Sequence, residues 1–219
     1  METRVIAIDP MEPGGDSLDE ASLVLQKGGL VAFPTDTFYA LGADPFSPFS
    51  IERVFLVKER DRSKPLLLLA SDLEMVAMAV EEIPPLARKL IHSFWPGPLT
   101  LVMKASSRLP TLVTGGTFKV GLRVPNSKVS LALLNKVGFP LTGTSANLTG
   151  GKDPTSAEAV LLALKGRIDM ILDGGSTSGL APSTILDMTT DPPIVLREGS
   201  IPLKEIEYYL PAIPRRLKT

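Results

Sequence analysis

The segment KERDRSKPLLLLA, residues 58–70, places Lys58, Arg60, Arg62 and Lys64 at every second position and then runs into Pro65 and a block of leucines. Side chains of an extended segment alternate faces, and Pro65 biases Lys64 towards extension, so the four cations are expected to point one way. Arg and Lys together are the usual pair for phosphate, and such a row can grip several of its oxygens. Paired with Glu59 and Asp61 instead, the same row is a solvated connector. Its position between a helix end and a buried strand favours a cleft.

Three other stretches carry residues of the same chemical leaning. In FPTDTFYALG, residues 33–42, Thr35, Asp36 and Thr37 fall in the loop after a strand end, where open sheets bind ligands; Asp36 alone reads equally well as a turn residue. In LTGTSANLTGGKDPT, residues 141–155, a strand runs into Gly143, Thr144, Ser145, Ala146 and Asn147 and then a Gly150-Gly151 turn. Small side chains let a phosphate approach backbone N–H groups there, although the glycine spacing around Lys152 is not that of a Walker A loop and a plain tight loop fits too. Arg123 in VGLRVP and Arg197 in VLREG each interrupt an apolar strand, so each is expected to face a carboxylate or phosphate, whether a ligand's or a structural Asp or Glu. DGGSTSGLAPSTILD adds Ser183 and Thr184 at a strand start, and the lone His92 reads as a solvated helix residue.

The elements that must position these residues follow from the apolar pattern. Ser17 and Glu20 form a capping-box pair opening a helix with Leu18, Ala21, Val24 and Leu25 on one side, closed by Gly28-Gly29. Ser47 and Pro48 make an N-cap and N1 pair for a second helix, striped by Ile51, Val54 and Phe55, which delivers Lys58. Strands are expected at 30–33, 65–70, 99–103, 120–124, 140–144, 169–172, 183–187 and 194–196, with further helices at 72–80, 84–94, 127–135, 156–164 and 203–210. Runs such as PLLLLA suggest strands covered on both faces, and the mixed order of strands and helices predicts an α/β fold: a twisted, open, mixed β-sheet with flanking helices.

With 219 residues, one domain over 1–210 and a frayed basic tail over 211–219 are expected. Net charge −1 removes any bulk attraction to nucleic acid or anionic membrane, so an anion site must be local. The absence of Cys excludes disulfides and thiolate metal sites. METRVIAIDP has no signal-peptide pattern and no apolar run approaches the roughly 20 residues of a membrane span, so a cytoplasmic protein without membrane contact is expected.

Taken in order, PTDTFYALG, KER…KPL, FWPGPLTLVM, VGLRVP, TSANLTG, GLAPSTILD and VLREGSI resemble the YrdC-like threonylcarbamoyl-AMP synthase family, over about residues 20–201. The resemblance implies a nucleotidyltransferase that condenses L-threonine, bicarbonate or CO2 and ATP into threonylcarbamoyl-AMP and pyrophosphate for the t6A37 modification of tRNA. It implies that Lys58, Arg60 and Lys64 face the ATP phosphates, with Lys58 and Arg60 catalytic, and that Thr37 contacts threonine while Arg123 meets its carboxylate. Ser145 and Asn147 correspond to a nucleotide-binding turn, Thr184 and Arg197 to later substrate and nucleotide contacts, and Lys119 and Asp153 to further nucleotide contacts. ATP is expected as a substrate, with Mg2+, and hand-over to a threonylcarbamoyl transferase complex and weak tRNA contact are further expectations. Asp61 stands where relatives often have proline, and Leu69 where some longer relatives have a histidine near the threonine. The chain resembles the short, single-domain form. An RNA-binding module of the same fold is the alternative, weakened by an aromatic content of 5%. A carbamoyl-adenylating domain of the hydrogenase-maturation type would normally sit in a much longer chain.

Overall fold

Short apolar runs separated by capped helices define the path of the chain, which a computed structural model describes over residues 2–179 and 181–210; the expected tail at 211–219 lies outside the described residues. The order begins β1 (Arg4–Ala7), α1 (Asp16–Gln26), β2 (Val31–Pro34), β3 (Tyr39–Gly42), α2 (Pro48–Lys58) and β4 (Leu67–Leu69). It continues through α3 (Leu73–Ala79), α4 (Pro85–Phe94), β5 (Leu99–Lys104), α5 (Thr111–Thr114), β6 (Lys119–Arg123) and α6 (Lys128–Val137). It ends with β7 (Leu141–Thr142), β8 (Thr144–Ser145), α7 (Ala157–Leu164), β9 (Met170–Asp173), β10 (Thr184–Asp187), β11 (Ile194–Arg197) and α8 (Leu203–Glu207).

The fold is α/β with mixed sheets flanked by helices, as the pattern predicts, but the strands divide into two sheets rather than one. One runs β1-β9-β2-β3-β8 and the other β11-β10-β5-β6-β4-β7. In the first, β1, β9 and β2 are parallel, β3 pairs antiparallel with β2, and β8 pairs antiparallel with β3. In the second, β10 with β5 and β6 with β4 are the parallel pairs. Helices α1 and α6 pack together and both touch β2.

Leu66, Leu68, Leu69 and Ala70 are buried because β4 lies between β6 and β7, the three leucines at 0–1% exposure, while Leu67 is half-buried. Each such leucine stabilises the fold by about 1.5–3 kcal/mol, which makes β4 a rigid wall. Only Gly143 separates β7 in one sheet from β8 in the other; its N–H donates to the Leu67 carbonyl at 2.7 Å. A Cβ at this position would stand 2.6 Å from Leu69 Cγ, so the chain changes sheets where no side chain fits. The strand expected at 140–144 is therefore two short strands in different sheets.

Most other boundaries fall within one to three residues of expectation, and Ser47 caps α2 through the Ser50 N–H at 3.2 Å. The capping box at Ser17 and Glu20 does not form. The helix begins at Asp16 after Gly15, which lies at φ 70 and gives no side-chain cap, while Ser17 Oγ donates to the Gly14 carbonyl and Glu20 pairs with Arg4. The pattern also misses β1, β3, β8 and α5, each of four residues or fewer. Among the described residues no helix is long and apolar enough to cross a membrane.

Candidate active site

The turn from β2 to β3 is tied by its own hydroxyls. Thr35 Oγ1 donates to the Phe38 carbonyl at 2.8 Å and accepts the Thr37 N–H at 3.1 Å, and the two threonine hydroxyls stand 3.1 Å apart. Facing them is Arg123, at the end of β6, whose side chain is 5% exposed. Its Nη2 reaches Thr35 Oγ1 at 3.3 Å and Thr37 Oγ1 at 3.4 Å, both long. Its Nη1 lies 3.3 Å from Asp36 Oδ1. That distance gives Coulombic attraction without hydrogen-bond alignment, so both Nη1 and Oδ1 are buried with no hydrogen-bond partner. Burial lowers the Arg123 pKa, Asp36 opposes this and Arg197 adds to it; an arginine remains charged there.

A second part of the site is the turn after β8. Ser145 Oγ donates to Asn147 Oδ1 at 2.8 Å, and Asn147 Nδ2 donates to the Gly151 carbonyl at 2.8 Å and lies 3.4 Å from Asp153 Oδ1. Lys58, at the last turn of α2, is 2% exposed and donates to the carbonyls of Ser145 and Asn147 and to Asn147 Oδ1. Burial brings its pKa down to about 8, with repulsion from Arg60 adding and Asp153 opposing.

Both parts border a cavity of about 300 Å³, lined also by Arg60, Ser183 and Arg197. Arg60 is held by the carbonyls of Lys64 (3.3 Å) and Pro65 (2.8 Å), and Arg197 by the Ser183 carbonyl (3.0 and 2.8 Å). Burial lowers both pKa values, opposed at Arg60 by Asp61 and at Arg197 by Asp153. Three guanidinium groups and several hydroxyls thus meet one lining carboxylate, Asp153. Such a lining suits anions. An adjoining, more apolar cavity of about 410 Å³ shares Pro65, Leu67 and Ile185 with it and is edged by the Lys119–Asp187 ion pair at 2.9 Å. Burial opposes ionisation of Asp187, but bonds from Thr189 and Lys119 outweigh it and hold the carboxyl below its usual value.

Of the residues singled out in the sequence, Thr37, Arg60, Arg123, Ser145, Asp153 and Arg197 line the first cavity and Lys119 the second. Lys58 and Asn147 are buried and line neither. Thr184 is wholly buried, its Oγ1 donating to the Ile201 carbonyl at 2.7 Å, and the neighbouring Ser183 faces the cavity in its place. Lys64 is exposed. The four cations do not form one row, because the backbone is not extended: Glu59 closes α2 at φ 51 and a turn follows, so that Arg62 swings away to pair with Glu52 at 2.6 Å. Glu59 pairs with Arg167, away from the row, while Asp61 accepts from Ser63 and acts on Arg60 and Lys64 through its charge alone. Thr35, Thr144 and Ser183 are lining residues not assigned from sequence. Thr35 stands in the stretch already noticed, and the alternation of β10 offers Ser183 or Thr184 without deciding between them. Among the described residues no group of three His, Cys, Asp or Glu could hold a metal ion by itself.

A family model described as "Telomere recombination" and named for Sua5, YciO and YrdC matches residues 23–199. A threonylcarbamoyl-AMP synthase of Pyrococcus abyssi is 40% identical over 183 residues, which cover 84% of this chain and 54% of that protein. One from Vibrio vulnificus is 36% identical, covering 84% of this chain and 98% of its own length. The crystal structure of P. abyssi Sua5 complexed with L-threonine aligns with a TM-score of 0.94 at 36% identity, over 98% of this chain and 63% of that one. The chain spans 54–58% of the length of the first curated relatives it matches.

Proposed function

This chain belongs to the Sua5/YciO/YrdC family, and from that premise we propose that it is an L-threonylcarbamoyladenylate synthase acting in tRNA t6A37 modification. The observation that carries the proposal is the Arg123 fork, buried beside two threonine hydroxyls with Nη1 lacking a hydrogen-bond partner, in a cavity that also presents Arg60 and Arg197. A planar guanidinium matches a carboxylate in bidentate geometry. The amino acid's carboxylate completes it, with Thr35 and Thr37 beside the bound substrate.

The chemistry follows from the charges. The threonine amine adds to CO2 with loss of a proton, or to bicarbonate with loss of water, giving a carbamate. A carbamate oxygen attacks the α-phosphorus of ATP, the bond to the β-phosphate oxygen breaks, and pyrophosphate leaves. Arg60 and Arg197 stabilise the charge that gathers on the phosphates, and Ser145 supplies a hydroxyl. Holding two anionic reactants in line supplies much of the rate. The nucleobase takes the adjoining apolar cavity, with Lys119 at its edge, and Lys64 adds positive charge from the exposed side. Asn147 and Thr184 act through Ser145 and Ser183. A lone lining carboxylate fits Mg2+ that arrives on the nucleotide rather than in a cage of protein ligands, and Asp153 would hold it. When bound, the metal neutralises phosphate charge.

The adenylate is reactive, so hand-over to a threonylcarbamoyl transferase complex in the cytoplasm completes the scheme. The test is pyrophosphate release from ATP, measured with L-threonine and bicarbonate together and with each omitted. Release only in the complete mixture supports the proposal; release independent of threonine contradicts it.

A further inference from the structure

Lys58 is joined to one turn at both ends. Its ammonium donates to the carbonyls of Ser145 and Asn147, the latter at 2.7 Å, and to Asn147 Oδ1 at 3.1 Å. Its own carbonyl accepts the Thr149 N–H at 2.9 Å and the Thr149 hydroxyl at 2.8 Å. An ammonium has three protons, and here three oxygens face it. Ser145 and Asp153, on either side of that turn in the chain, line the cavity. Both depend on Asn147: Ser145 Oγ donates to Asn147 Oδ1, and Asn147 Nδ2 lies 3.4 Å from Asp153 Oδ1.

We infer that Lys58 is a positioning residue and not a phosphate ligand: it clamps the 145–149 turn to the end of α2 and, through Asn147, aims the Ser145 hydroxyl and the Asp153 carboxylate at the cavity. Turning the ammonium towards a phosphate would strip two carbonyls and an amide oxygen of a charged donor inside a buried wall. The left-handed Glu59 separates Lys58 from Arg60, which lines the cavity and supplies the cation there. The role in ATP binding rests on the function proposed above; the clamp itself does not.

The test begins with the unaltered protein, without nucleotide. Acylation of lysine amines read by peptide mass analysis is expected to label Lys58 at least about tenfold more slowly than exposed Lys64, and ATP is expected to change the Lys58 rate by less than about twofold. Lys58→Met is expected to speed deuterium uptake at the amides of residues 145–151, to raise the ATP dissociation constant about tenfold and to leave that for threonine within about twofold. Should that variant not fold, Thr149→Val loosens the other end of the clamp and is expected to speed the same exchange to a smaller degree. Lys58 labelling as fast as Lys64, Lys58 labelling that only ATP suppresses, or unaltered exchange in the folded variant overturns the inference. If the unaltered protein binds no ATP, the functional proposal fails, and labelling with exchange still decides the clamp.

Discussion

Lys58 and Arg123 are both buried cations, at 2% and 4% exposure, the first behind the lining of one cavity and the second within that lining, and their surroundings differ in kind. The Lys58 ammonium has an acceptor for each proton, two of them backbone carbonyls. The Arg123 fork makes two long contacts to hydroxyls and one unaligned approach to Asp36, with Nη1 left over. An unsatisfied buried donor costs about 1–3 kcal/mol, so it persists where something else recovers that cost. A satisfied buried cation holds its surroundings together; an unsatisfied one in a cavity lining is the better candidate to meet a ligand.

Arg60→Ala gives the largest expected effect. The partners of Arg60 within the protein are two backbone carbonyls, so its loss is expected to remove about 3 kcal/mol of transition-state stabilisation, on the order of a hundredfold in pyrophosphate release, with little change in Tm. Full activity in the folded variant would place Arg60 with Lys58, as a cation that holds its surroundings together.

Next is Arg123→Lys. A point charge in place of a fork is expected to raise the apparent threonine constant about thirtyfold, or about 2 kcal/mol, and to alter the ATP constant by less than about threefold. Separate titrations of each substrate decide this. If both constants and Tm deteriorate together, Arg123 is a permanent partner of Asp36 and the comparison with Lys58 collapses.

Gly143→Ala probes the joint between the two sheets. A Cβ 2.6 Å from Leu69 Cγ must push β4 and β7 apart, at about 1–2 kcal/mol, which lowers Tm by a few degrees. Thermal unfolding of the variant measures it, and an unchanged Tm would show that the crossing between sheets has slack.

The smallest effect concerns pH. The folded pKa of Lys58, about 8, lies below its ordinary value of 10.5, so between these values the unfolded chain binds more protons. The group's contribution to stability is therefore complete above about 10.5 and is lost as pH falls through about 8. From pH 7 to 8.5 unfolding should become more costly by on the order of 1 kcal/mol or less relative to Lys58→Met. Parallel pH profiles for the two proteins would show that Lys58 titrates as it does in water.

Much of this was legible in the sequence where the signal was local. An arginine in VGLRVP had to meet a partner, and Asp36 and Thr37 were visible in a loop after a strand. The row at 58–64 was misjudged because alternation presupposes an extended backbone, and a left-handed Glu59 followed by a turn removes it. The Ser17 and Glu20 pair was outweighed by Gly15, whose positive φ starts the helix without a side-chain cap. The residues alone offered Ser183 and Thr184 together, since a strand pattern gives periodicity but not parity, and only the family resemblance singled out Thr184; Thr184 pairs with Leu99 of β5 on the buried side, and Ser183 lines the cavity. The division into two sheets depends on Gly143 fitting against Leu69, a contact between residues far apart in the chain.

In the proposed reaction the incomplete Arg123 fork receives the carboxylate of the amino acid in the same cavity that holds the phosphates. Pyrophosphate release by the unaltered protein, with ATP and bicarbonate saturating, should be compared for L-threonine and L-threonine amide. The amide, which cannot complete the guanidinium as an anion, is expected to support release at less than about one hundredth of the efficiency. Equal release with the amide would contradict it.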